Sequence, residues 1–536
     1  MGLGGRTMLA RVTTAAFAGI EGFLVEVETD IAAGLPYFSV VGLPDAAVRE
    51  SRERVAAAIK NSGFEFPVRK ITVNLAPAGV RKEGARYDLP IALGILLASG
   101  QVEEAEPDGL VMLGELSLDG SLRPTRGVLP MVVAARGRGR HAVLLPWANA
   151  AEAALVDGMA VHPARTLEEA VRLLSPDRRA LAAGEDASGG SASVAAAGSA
   201  GLAGHALDLA DVRGQEHAKR ALLVAAAGGH NVLFVGPPGS GKTMLAQRMP
   251  GILPDLTREE AIEVSAIYSV AGLLPPETPL LAARPFRAPH HTVSFAGLVG
   301  GGSGPRPGEV SLAHRGVLFL DELPEFQRPA LEALRQPVEE GRVTIARVSR
   351  TVTFPARFTL AAAMNPCRCG FLGDPRRTCR CTPREVRAYR NRVSGPLLDR
   401  IDIHVEVPPL RYESLVGNGG SRSSEEVRAE VLVARERQSA RNGAAAPDGA
   451  PTTSGASNPN ARLATREIER HCALDARGTR LLRAALERLG LSARGVHRVL
   501  RVARTIADLD GCAAIAEAHL AEAIQYRSLD RDAPNR

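Results

Sequence analysis

The sequence predicts an α/β protein of several domains, with a parallel sheet at its centre and a helical bundle at its end. Its 536 residues suffice for three or four domains at roughly 100 to 200 residues each. In the middle, the apolar runs NVLFVG, GVLFLDE and FTLAAAMN alternate with helical stretches, a pattern typical of a parallel sheet flanked by helices. Near the end, apolar residues recur at helical spacing, as in GTRLLRAALERLG, which predicts a small helical bundle.

The composition excludes several classes of protein. With 45% hydrophobic and 23% charged residues, the chain resembles soluble globular proteins rather than disordered or fibrous ones. The net charge of +6 permits an anionic partner without requiring one. The sequence contains no run of about 18 apolar residues, the length that would predict a membrane span. Because the start of the chain does not follow a signal-peptide pattern and the six cysteines do not suggest a disulfide framework, we expect a cytoplasmic protein.

Two stretches rich in glycine, alanine and serine indicate flexible connectors between the domains. One ends near residue 204 and the other near residue 460. The predicted organisation is an N-terminal domain at 1–175, a linker at 176–204, a core at 205–410, a helix with a connector at 411–460, and helices at 461–536.

Local signals mark several helices. The run PIALGILLA, which ends at Ala98, fits a buried helix better than a bilayer span. A helix at 424–441 begins with serine and acidic residues and ends with basic ones, as the helix dipole favours. We expect it to join the C-terminal helices. There, Gly490 is suited to end one helix and Ser492 to cap the next.

Residues 236–243 read GPPGSGKT, directly after the apolar run NVLFV and before the helical stretch MLAQRM. This strand, glycine loop and helix are the context of a phosphate-binding loop, which makes a chance glycine-rich turn a poor alternative. Lys242 would reach the β- and γ-phosphates of ATP, and the Thr243 hydroxyl would bind Mg²⁺. The predicted ATP-binding residues are Gly236, Pro237, Pro238, Gly239, Ser240, Gly241, Lys242, Thr243 and Asp321.

Two further strands end in polar residues. VLFLDE ends in Asp321, suited to hold Mg²⁺ through water, and Glu322, suited to orient an attacking water. Alone, this acidic pair would also fit an exposed strand end, but with the loop upstream it predicts ATP hydrolysis. FTLAAAMN ends in Asn365, whose amide reaches the γ-phosphate or the attacking water if its strand lies between the other two.

Two arginines are candidates for stabilising the transition-state charge. Arg400, in SGPLLDRID, is suited to reach the γ-phosphate of a neighbouring subunit. A plain salt bridge to Asp399 or Asp402 is the alternative. Arg494 follows the predicted cap of a C-terminal helix and would contact phosphate from a helical lid, with Arg498 one turn later competing for this role. An exposed helix arginine is the alternative for Arg494.

The segment CRCGFLGDPRRTCRC contains two CxC pairs joined by a loop with glycines and a proline. Four thiolates at the ends of such a hairpin predict a structural Zn²⁺ site, with free thiols or a redox-sensitive pair as the alternative. Cys472 and Cys512 lie in the apolar pattern of the helices, so we expect them in the core. The four candidate ligands are Cys367, Cys369, Cys379 and Cys381.

Basic residues are dense around these cysteines, which is suited to contacts with a phosphate backbone. A solvated basic face in an arginine-rich protein is the alternative. The inserted segment RPFRAPHHTVSFAGLVGGGSGPRPGE contains His290 and His291, for which we expect structural or DNA-facing roles. The basic residues are Arg368, Arg376, Arg377, Arg380, Arg384, Arg387, Arg390 and Arg392.

The motifs GPPGSGKT, VLFLDE, AAMN, LLDRID and SARGVHRVLRVARTIADL occur in this order, and the chain therefore resembles the magnesium-chelatase-like AAA+ ATPases. The match is closer still to the ComM/YifB family. The resemblance implies an AAA+ P-loop core with a C-terminal helical lid, and a hexameric ring in which Arg400 reaches across to the next subunit's ATP. Arg494 would be the lid arginine. It also implies an ATP-driven motor on single-stranded or branched DNA that promotes branch migration during natural transformation, together with recombination proteins.

The N-terminal domain resembles the α+β domain, similar to ribosomal S5 domain 2, that Lon-type proteases share with the recombination protein RadA. The matching stretches are KEGARYDLPIALGILLASG and GELSLDGSLRP. A protease would need a serine where Arg86 and Tyr87 stand, and a lysine in TRGVLPMVVAARGRG, which has none. We therefore expect no peptidase activity but a role in ring assembly or DNA contact.

Two other functions stay open from the sequence. A motor subunit of magnesium chelatase would use the same core, but about 200 residues of a different domain precede it here. An ATP-dependent protein-remodelling or assembly factor would use the core without moving on DNA.

Overall fold

The computed structural model describes residues 8–102, 109–174, 207–275, 277–302, 304–347, 350–409, 421–443, 458–527 and 529. The chain divides into two compact units, Met1–Gly201 with Ala261–Leu281, and Leu202–Glu260 with Ala282–Arg536. Residues 261–281 thus pack with the first unit, although along the sequence they lie inside the predicted core. Both predicted connectors lie, for most of their length, outside the described residues.

The first unit contains a four-stranded sheet in the order β1-β2-β4-β3. Its strands are β1 (Met8–Ala18), β2 (Glu21–Ala32), β3 (Tyr37–Val41) and β4 (Lys70–Ala76). β1, β2 and β4 are antiparallel neighbours, and β3 runs parallel to β4. Alternate residues along β4 are buried, because one face of the sheet covers the core of this unit.

Helices and a second sheet complete this unit. The helix over the run PIALGILLA is almost entirely buried, which confirms the prediction of a core helix. The second sheet has three parallel strands in the order β5-β8-β9, and β6 pairs with β7. The elements are α1 (Ala46–Asn61), α2 (Asp88–Ala98), β5 (Leu110–Met112), β6 (Glu115–Leu116), β7 (Leu122–Arg123), α3 (Val128–Gly137), β8 (Ala142–Pro146), α4 (Ala150–Ala153), β9 (Ala160–Ala164) and α5 (Leu167–Arg172).

The second unit is built around a five-stranded sheet in the order β11-β14-β17-β10-β18. All neighbouring pairs are parallel, and the strands are nearly continuous apolar runs because helices cover them. This confirms the predicted parallel sheet. β17, the strand before Asn365, lies between β10 and β14. The strands are β10 (Val232–Val235), β11 (Phe286–Arg287), β14 (Val317–Leu320), β17 (Thr359–Met364) and β18 (Ile403–Glu406).

Further elements connect and cover this sheet, and one helix, α8, begins in the second unit and continues into the first. Short hairpins pair β12 with β13 and β15 with β16. The elements are α6 (Glu216–Gly228), α7 (Lys242–Ile252), α8 (Arg258–Ala271), α9 (Phe295–Val299), β12 (Gly300–Gly301), β13 (Arg306–Pro307), α10 (Glu309–Leu312), α11 (Arg328–Ala333), α12 (Arg335–Glu340), β15 (Arg342–Arg347), β16 (Arg350–Pro355), α13 (Pro383–Arg390) and α14 (Gly395–Leu398).

The remaining helices are α15 (Ser424–Gly443), α16 (Thr465–His471), α17 (Ala476–Leu489), α18 (Ala493–Leu509) and α19 (Glu517–Gln525). Gly490, with a φ of 61°, ends α17, and the Ser492 hydroxyl accepts a hydrogen bond from Gly495 N at 3.0 Å to cap α18. Both predicted signals are confirmed. α15 packs on α6 and α7 as well as on α18. Over the described ranges, no helix is both long and apolar enough to cross a bilayer.

Candidate active site

The phosphate-binding loop leaves the carboxyl end of β10 and enters α7. Gly239 and Gly241 have φ angles of 75° and 95°, which glycine adopts without steric cost. A Cβ on either glycine would meet no described atom within 4 Å, so one side of the loop is open. The buried Ser240 hydroxyl has no hydrogen-bond partner among the described residues. An open loop with an unpaired hydroxyl fits a phosphate group.

Lys242 is buried at the start of α7. Its Nζ donates hydrogen bonds to Gly236 O and Pro237 O, both at 2.8 Å, and to Asn365 Oδ1 at 3.3 Å. Burial lowers the pKa of Lys242, while the nearby carboxylates of the acidic pair oppose this shift. Because β17 is the central neighbour of β10, Asn365 lies beside the loop. The predicted role of Asn365 requires its strand to lie between the other two, and β17 does lie between β10 and β14.

Thr243 and Asp321 come together between the loop and the end of β14. The Thr243 hydroxyl donates a hydrogen bond to Asp321 Oδ2 at 2.7 Å. A hydroxyl and a carboxylate are oxygen ligands of the kind that Mg²⁺ prefers, with waters and phosphates completing its shell. These two residues fit a Mg²⁺ ion bound with the nucleotide.

Glu322 follows β14 with a left-handed backbone, at φ 51° and ψ 45°. Such a conformation costs a non-glycine residue about 1–3 kcal/mol and clusters at functional sites. Its N–H donates to Asp321 Oδ1 at 2.9 Å, and its Oε2 lies 3.3 Å from His291 Nδ1. The centroid of the His291 ring lies 4.1 Å from that of His290 and 6.5 Å from that of Phe326.

The contact between His291 and Glu322 was missed by sequence reasoning, which expected structural or DNA-facing roles for both histidines. The only signal was position: PHHTVS follows β11, and β11 pairs with the strand that carries the acidic residues. That pairing cannot be read from the sequence, because β11 lies at the start of the insertion and β14 lies beyond its end.

Arg400 lies before β18, at the amino edge of the sheet, whereas the phosphate-binding loop is at the carboxyl edge. Its guanidinium is 2.8 Å from Glu339 Oε2 and donates to Pro396 O at 2.7 Å. Asp399 and Asp402, the alternative partners, contact other arginines. Asp399 is 3.8 Å from Arg527, and Asp402 pairs with Arg498. Arg400 is therefore remote from the ATP-binding loop of its own chain.

Arg494 is exposed and lines a cavity of about 1090 Å³. Asn231, Gly316 and Thr359 also line this cavity, and they stand at the amino ends of β10, β14 and β17. The structure therefore places Arg494 at the same edge as Arg400 and does not bring it to Lys242.

Arg498, the competitor of Arg494, is buried. It donates to Asp402 Oδ1 at 2.6 Å and to Arg400 O at 3.0 Å. These contacts satisfy a buried carboxylate, and Arg498 therefore has a structural role.

The four clustered cysteines converge, with their sulfur atoms all within 4.8 Å of one another. The Cys367 Sγ to Cys369 Sγ, Cys367 Sγ to Cys379 Sγ and Cys369 Sγ to Cys379 Sγ distances are 3.4, 3.7 and 3.5 Å. Sulfurs of a tetrahedral zinc site, with bonds of about 2.3 Å, stand about 3.7 Å apart. Backbone N–H groups of Phe371 and Arg380 lower the pKa of Cys369 to about 6, whereas burial and the neighbouring thiols raise the pKa values of Cys379 and Cys381. The cluster fits a thiolate-bound metal.

The two other cysteines differ. Cys472 is buried, as expected, but Cys512 is exposed. The prediction that Cys512 belongs to the core was wrong, because α18 ends at Leu509 and Cys512 lies in the loop that follows.

Family models describe most of the chain. Residues 208–415 match the model for magnesium chelatase, subunit ChlI; residues 27–149 match subunit ChlI of Mg-chelatase; residues 421–527 match the C-terminal part of that subunit. Competence protein ComM of Haemophilus influenzae is 45% identical over 528 residues, which cover 98% of each chain. The chain belongs to the ComM/YifB family.

Other relatives of this ComM/YifB member support the same family assignment. Protein YifB of Salmonella typhimurium is 43% identical over 529 residues, again 98% of each chain. Lon protease 2 of Bacillus subtilis is 27% identical over 168 residues, which are 28% of this chain and 30% of the protease. The predicted family is confirmed, and with it a magnesium-chelatase-like AAA+ protein with Lon-like similarity and the ATP and Mg²⁺ use of that family.

Proposed function

We propose that the chain is an ATP-hydrolysing ring motor that acts on DNA and promotes branch migration during recombination in natural transformation. One observation carries the proposal. The five residues predicted for ATP chemistry, Lys242, Thr243, Asp321, Glu322 and Asn365, meet at one edge of a parallel sheet, in a chain related end to end to a competence protein.

Each of these side chains has a task in hydrolysis. Lys242 exchanges its loop carbonyls for the β- and γ-phosphates, and Thr243 and Asp321 hold Mg²⁺. Mg²⁺ bound there would neutralise phosphate charge. Glu322 orients the attacking water and accepts its proton, and the Asn365 amide binds the γ-phosphate.

The two arginines at the opposite edge support a ring. Arg400 and Arg494 are remote from their own loop, so they serve the nucleotide of a neighbouring subunit. A head-to-tail contact of this kind forms a closed ring when the rotation between subunits closes, and the family resemblance implies six subunits. Arg400 must exchange its single contact with Glu339 for phosphate, which a guanidinium can bind through two parallel hydrogen bonds.

A basic surface around the cysteine hairpin supports DNA as the partner. Of its eight arginines, all but Arg390 are exposed, and such a surface binds the phosphate backbone without regard to sequence. Phe371 is covered by Arg377, whose guanidinium carbon lies 5.0 Å from the ring centroid. Backbone contacts are therefore favoured over stacking on bases.

We also propose that the four-cysteine cluster binds one Zn²⁺. The converging sulfurs and the N–H···S hydrogen bonds support four thiolate ligands. Metal analysis of the purified protein tests this, with one zinc per chain expected and a metal-free protein contradicting it.

A second candidate function is a motor subunit of magnesium chelatase. The descriptions of the matching family models favour it. Such a motor would be stimulated by the partner enzyme that inserts the metal rather than by DNA.

The deciding experiment measures the ATPase rate alone and with single-stranded DNA, duplex DNA or a four-way junction. Lys242→Ala serves as the blank. We expect single-stranded or branched DNA to raise the rate several-fold, and added salt to weaken this effect. Ordinary basal hydrolysis with no response to any DNA would refute the DNA motor and leave chelatase or protein remodelling.

A further inference from the structure

We propose that the cysteine hairpin, residues 367–381, is a metal-dependent support for the phosphate-binding loop, so that loss of its metal weakens nucleotide binding. This inference rests on the proposed ATP site and the proposed zinc. Three sets of contacts carry it.

The hairpin starts inside the active site. Asn365, which accepts a hydrogen bond from Lys242, is separated from Cys367 by one residue. Cys367 is fully buried. A metal bound by Cys367 is therefore two residues along the chain from a side chain that faces the nucleotide.

The first turn of the hairpin touches the loop. Gly370 N donates to Cys367 O at 3.0 Å, and Gly370 has a φ of 85°. A Cβ at Gly370 would stand 2.7 Å from Cδ and 2.9 Å from Cγ of Pro238, a residue of the phosphate-binding loop. A real Cβ does not tolerate distances this short, so the Gly370 backbone lies directly against the Pro238 ring.

The chain that leaves the hairpin returns to the same place. After Cys381, α13 begins with a capping box and carries Tyr389, whose hydroxyl accepts a hydrogen bond from Asn365 N–H. Arg390 Nε donates to Pro366 O at 3.3 Å. Asn365 is thus held from one side by the start of the hairpin and from the other by the helix that follows it.

Between these contacts the hairpin has little structure of its own. Residues 367–381 form no helix or strand, so four metal–sulfur bonds would be its main cross-link. Without them, Gly370 and α13 lose their fixed positions, and the loop loses the surface on which Pro238 packs. The chain offers a way to test this packing without touching a metal ligand.

The first experiment compares Gly370→Ala with Gly373→Ala. Both glycines lie in the hairpin with left-handed φ angles of 85° and 80°, but a Cβ at Gly373 would meet no described atom within 4 Å. Backbone strain is therefore matched, and only the first variant pushes on Pro238. We expect Gly370→Ala to raise the Kd of a fluorescent ADP analogue about tenfold, a loss of about 1.4 kcal/mol, with zinc content unchanged. Equal Kd values for the two variants would overturn the inference.

The second experiment removes the metal. Cys379→Ser is compared with Cys512→Ser, which alters the exposed thiol outside the cluster. We expect Cys379→Ser to lose zinc and to raise the Kd of the ADP analogue, and Cys512→Ser to change neither. Chelator-treated wild-type protein should regain its affinity when Zn²⁺ is added back. A reversibly unfolded fraction would raise the apparent Kd by itself, so circular dichroism of each variant under the binding conditions must first match that of the wild-type protein.

The possible failures are distinguishable. A wild-type protein that does not bind the ADP analogue would refute the proposed ATP site. A wild-type protein without metal would refute the zinc. Metal-free protein that binds the analogue as tightly as the zinc form would refute the coupling between them while both sites stand.

Discussion

Glu322 is held in a strained backbone conformation with its carboxylate against His291. The two constraints fix where the carboxylate points before any nucleotide is bound, which is the pre-organisation that a general base requires. The polar contact that the structure gives His291 in this site is with Glu322, so we expect it to act through that carboxylate as a positioning residue.

Replacing His291 with alanine should therefore lower kcat for ATP roughly five- to tenfold, because a misplaced base loses part of the 10²–10⁴-fold effect of general-base catalysis. KM should stay within about twofold, since Lys242 still binds the phosphates. Steady-state ATPase assays check this, with His217→Ala, whose ring stacks on Tyr526, as the control. A rise in KM with an unchanged kcat would contradict a role through Glu322.

Two arginines one helical turn apart give opposite expectations. Arg498→Ala leaves Asp402 buried without its guanidinium partner, which costs about 3–5 kcal/mol. Arg494→Ala removes an exposed side chain and should leave thermal unfolding unchanged while lowering ATP turnover. Thermal unfolding and ATPase assays of both variants check this. A stable Arg498→Ala protein, or a fully active Arg494→Ala protein, would reverse the assignment.

Residues with local signals were predictable, and those defined by distant contacts were not. The glycine loop is a motif on consecutive residues, and the Asp321–Glu322 pair ends an apolar run, so the place of both in the fold could be predicted from the sequence. The contact of His291 with Glu322 depends on strand order across an insertion. The engagement of Arg400 by Glu339 likewise joins residues far apart along the chain, which periodicity does not report.

At the scale of elements, an ion pair between a half-buried arginine and a buried carboxylate joins α1 and α2. Arg54 on α1 lies 2.8 and 3.1 Å from the two carboxylate oxygens of Asp88 on α2. Burial raises the pKa of Asp88 to about 6, against the opposing effect of Arg54. The arginine thus makes a carboxylate tolerable inside the first unit.

Arg54→Ala should destabilise the first unit by about 3 kcal/mol at pH 8, where Asp88 would be buried and charged without a partner. The pKa of Asp88 is higher in the folded than in the unfolded state, so the folded protein binds the Asp88 proton more readily. The stability lost in Arg54→Ala therefore grows as pH rises through about 6 and Asp88 ionises. At pH 5 the loss should be clearly smaller. Denaturant unfolding at both pH values checks this, with the exposed Arg52→Ala on the same helix as control. Equal losses at both pH values would contradict a charged Asp88.

Elements with strong local signals were also predictable from the sequence. Gly490 and Ser492 mark the junction of α17 and α18 because left-handed φ and side-chain capping are local requirements. The packing of Ala261–Leu281 with the first unit was not predictable, since the segment carries an ordinary amphipathic pattern that does not name its partner. Packing against residues far away along the sequence places this segment in the first unit.

At the scale of the whole molecule, the parallel sheet separates two sets of charged residues. Lys242 and the acidic pair stand at its carboxyl edge, and Arg400 stands at its amino edge, remote from them. With the proposed role of Arg400 at a neighbouring subunit's nucleotide, a subunit with this layout would hold half of an active site on each side. Hydrolysis would then require at least two copies of the chain.

Mixing two inactive variants tests this division. Lys242→Ala spoils the nucleotide-binding side and Arg400→Ala the opposite side, so a contact that pairs an intact loop with an intact Arg400 forms in about one of four random interfaces. Equimolar mixtures should regain about a quarter of the wild-type ATPase rate, whereas each variant alone is inactive. Mixing Lys242→Ala with Glu322→Gln should restore nothing, because both defects lie on the same side. If the first mixture also stays inactive while the subunits exchange, Arg400 does not act across the interface.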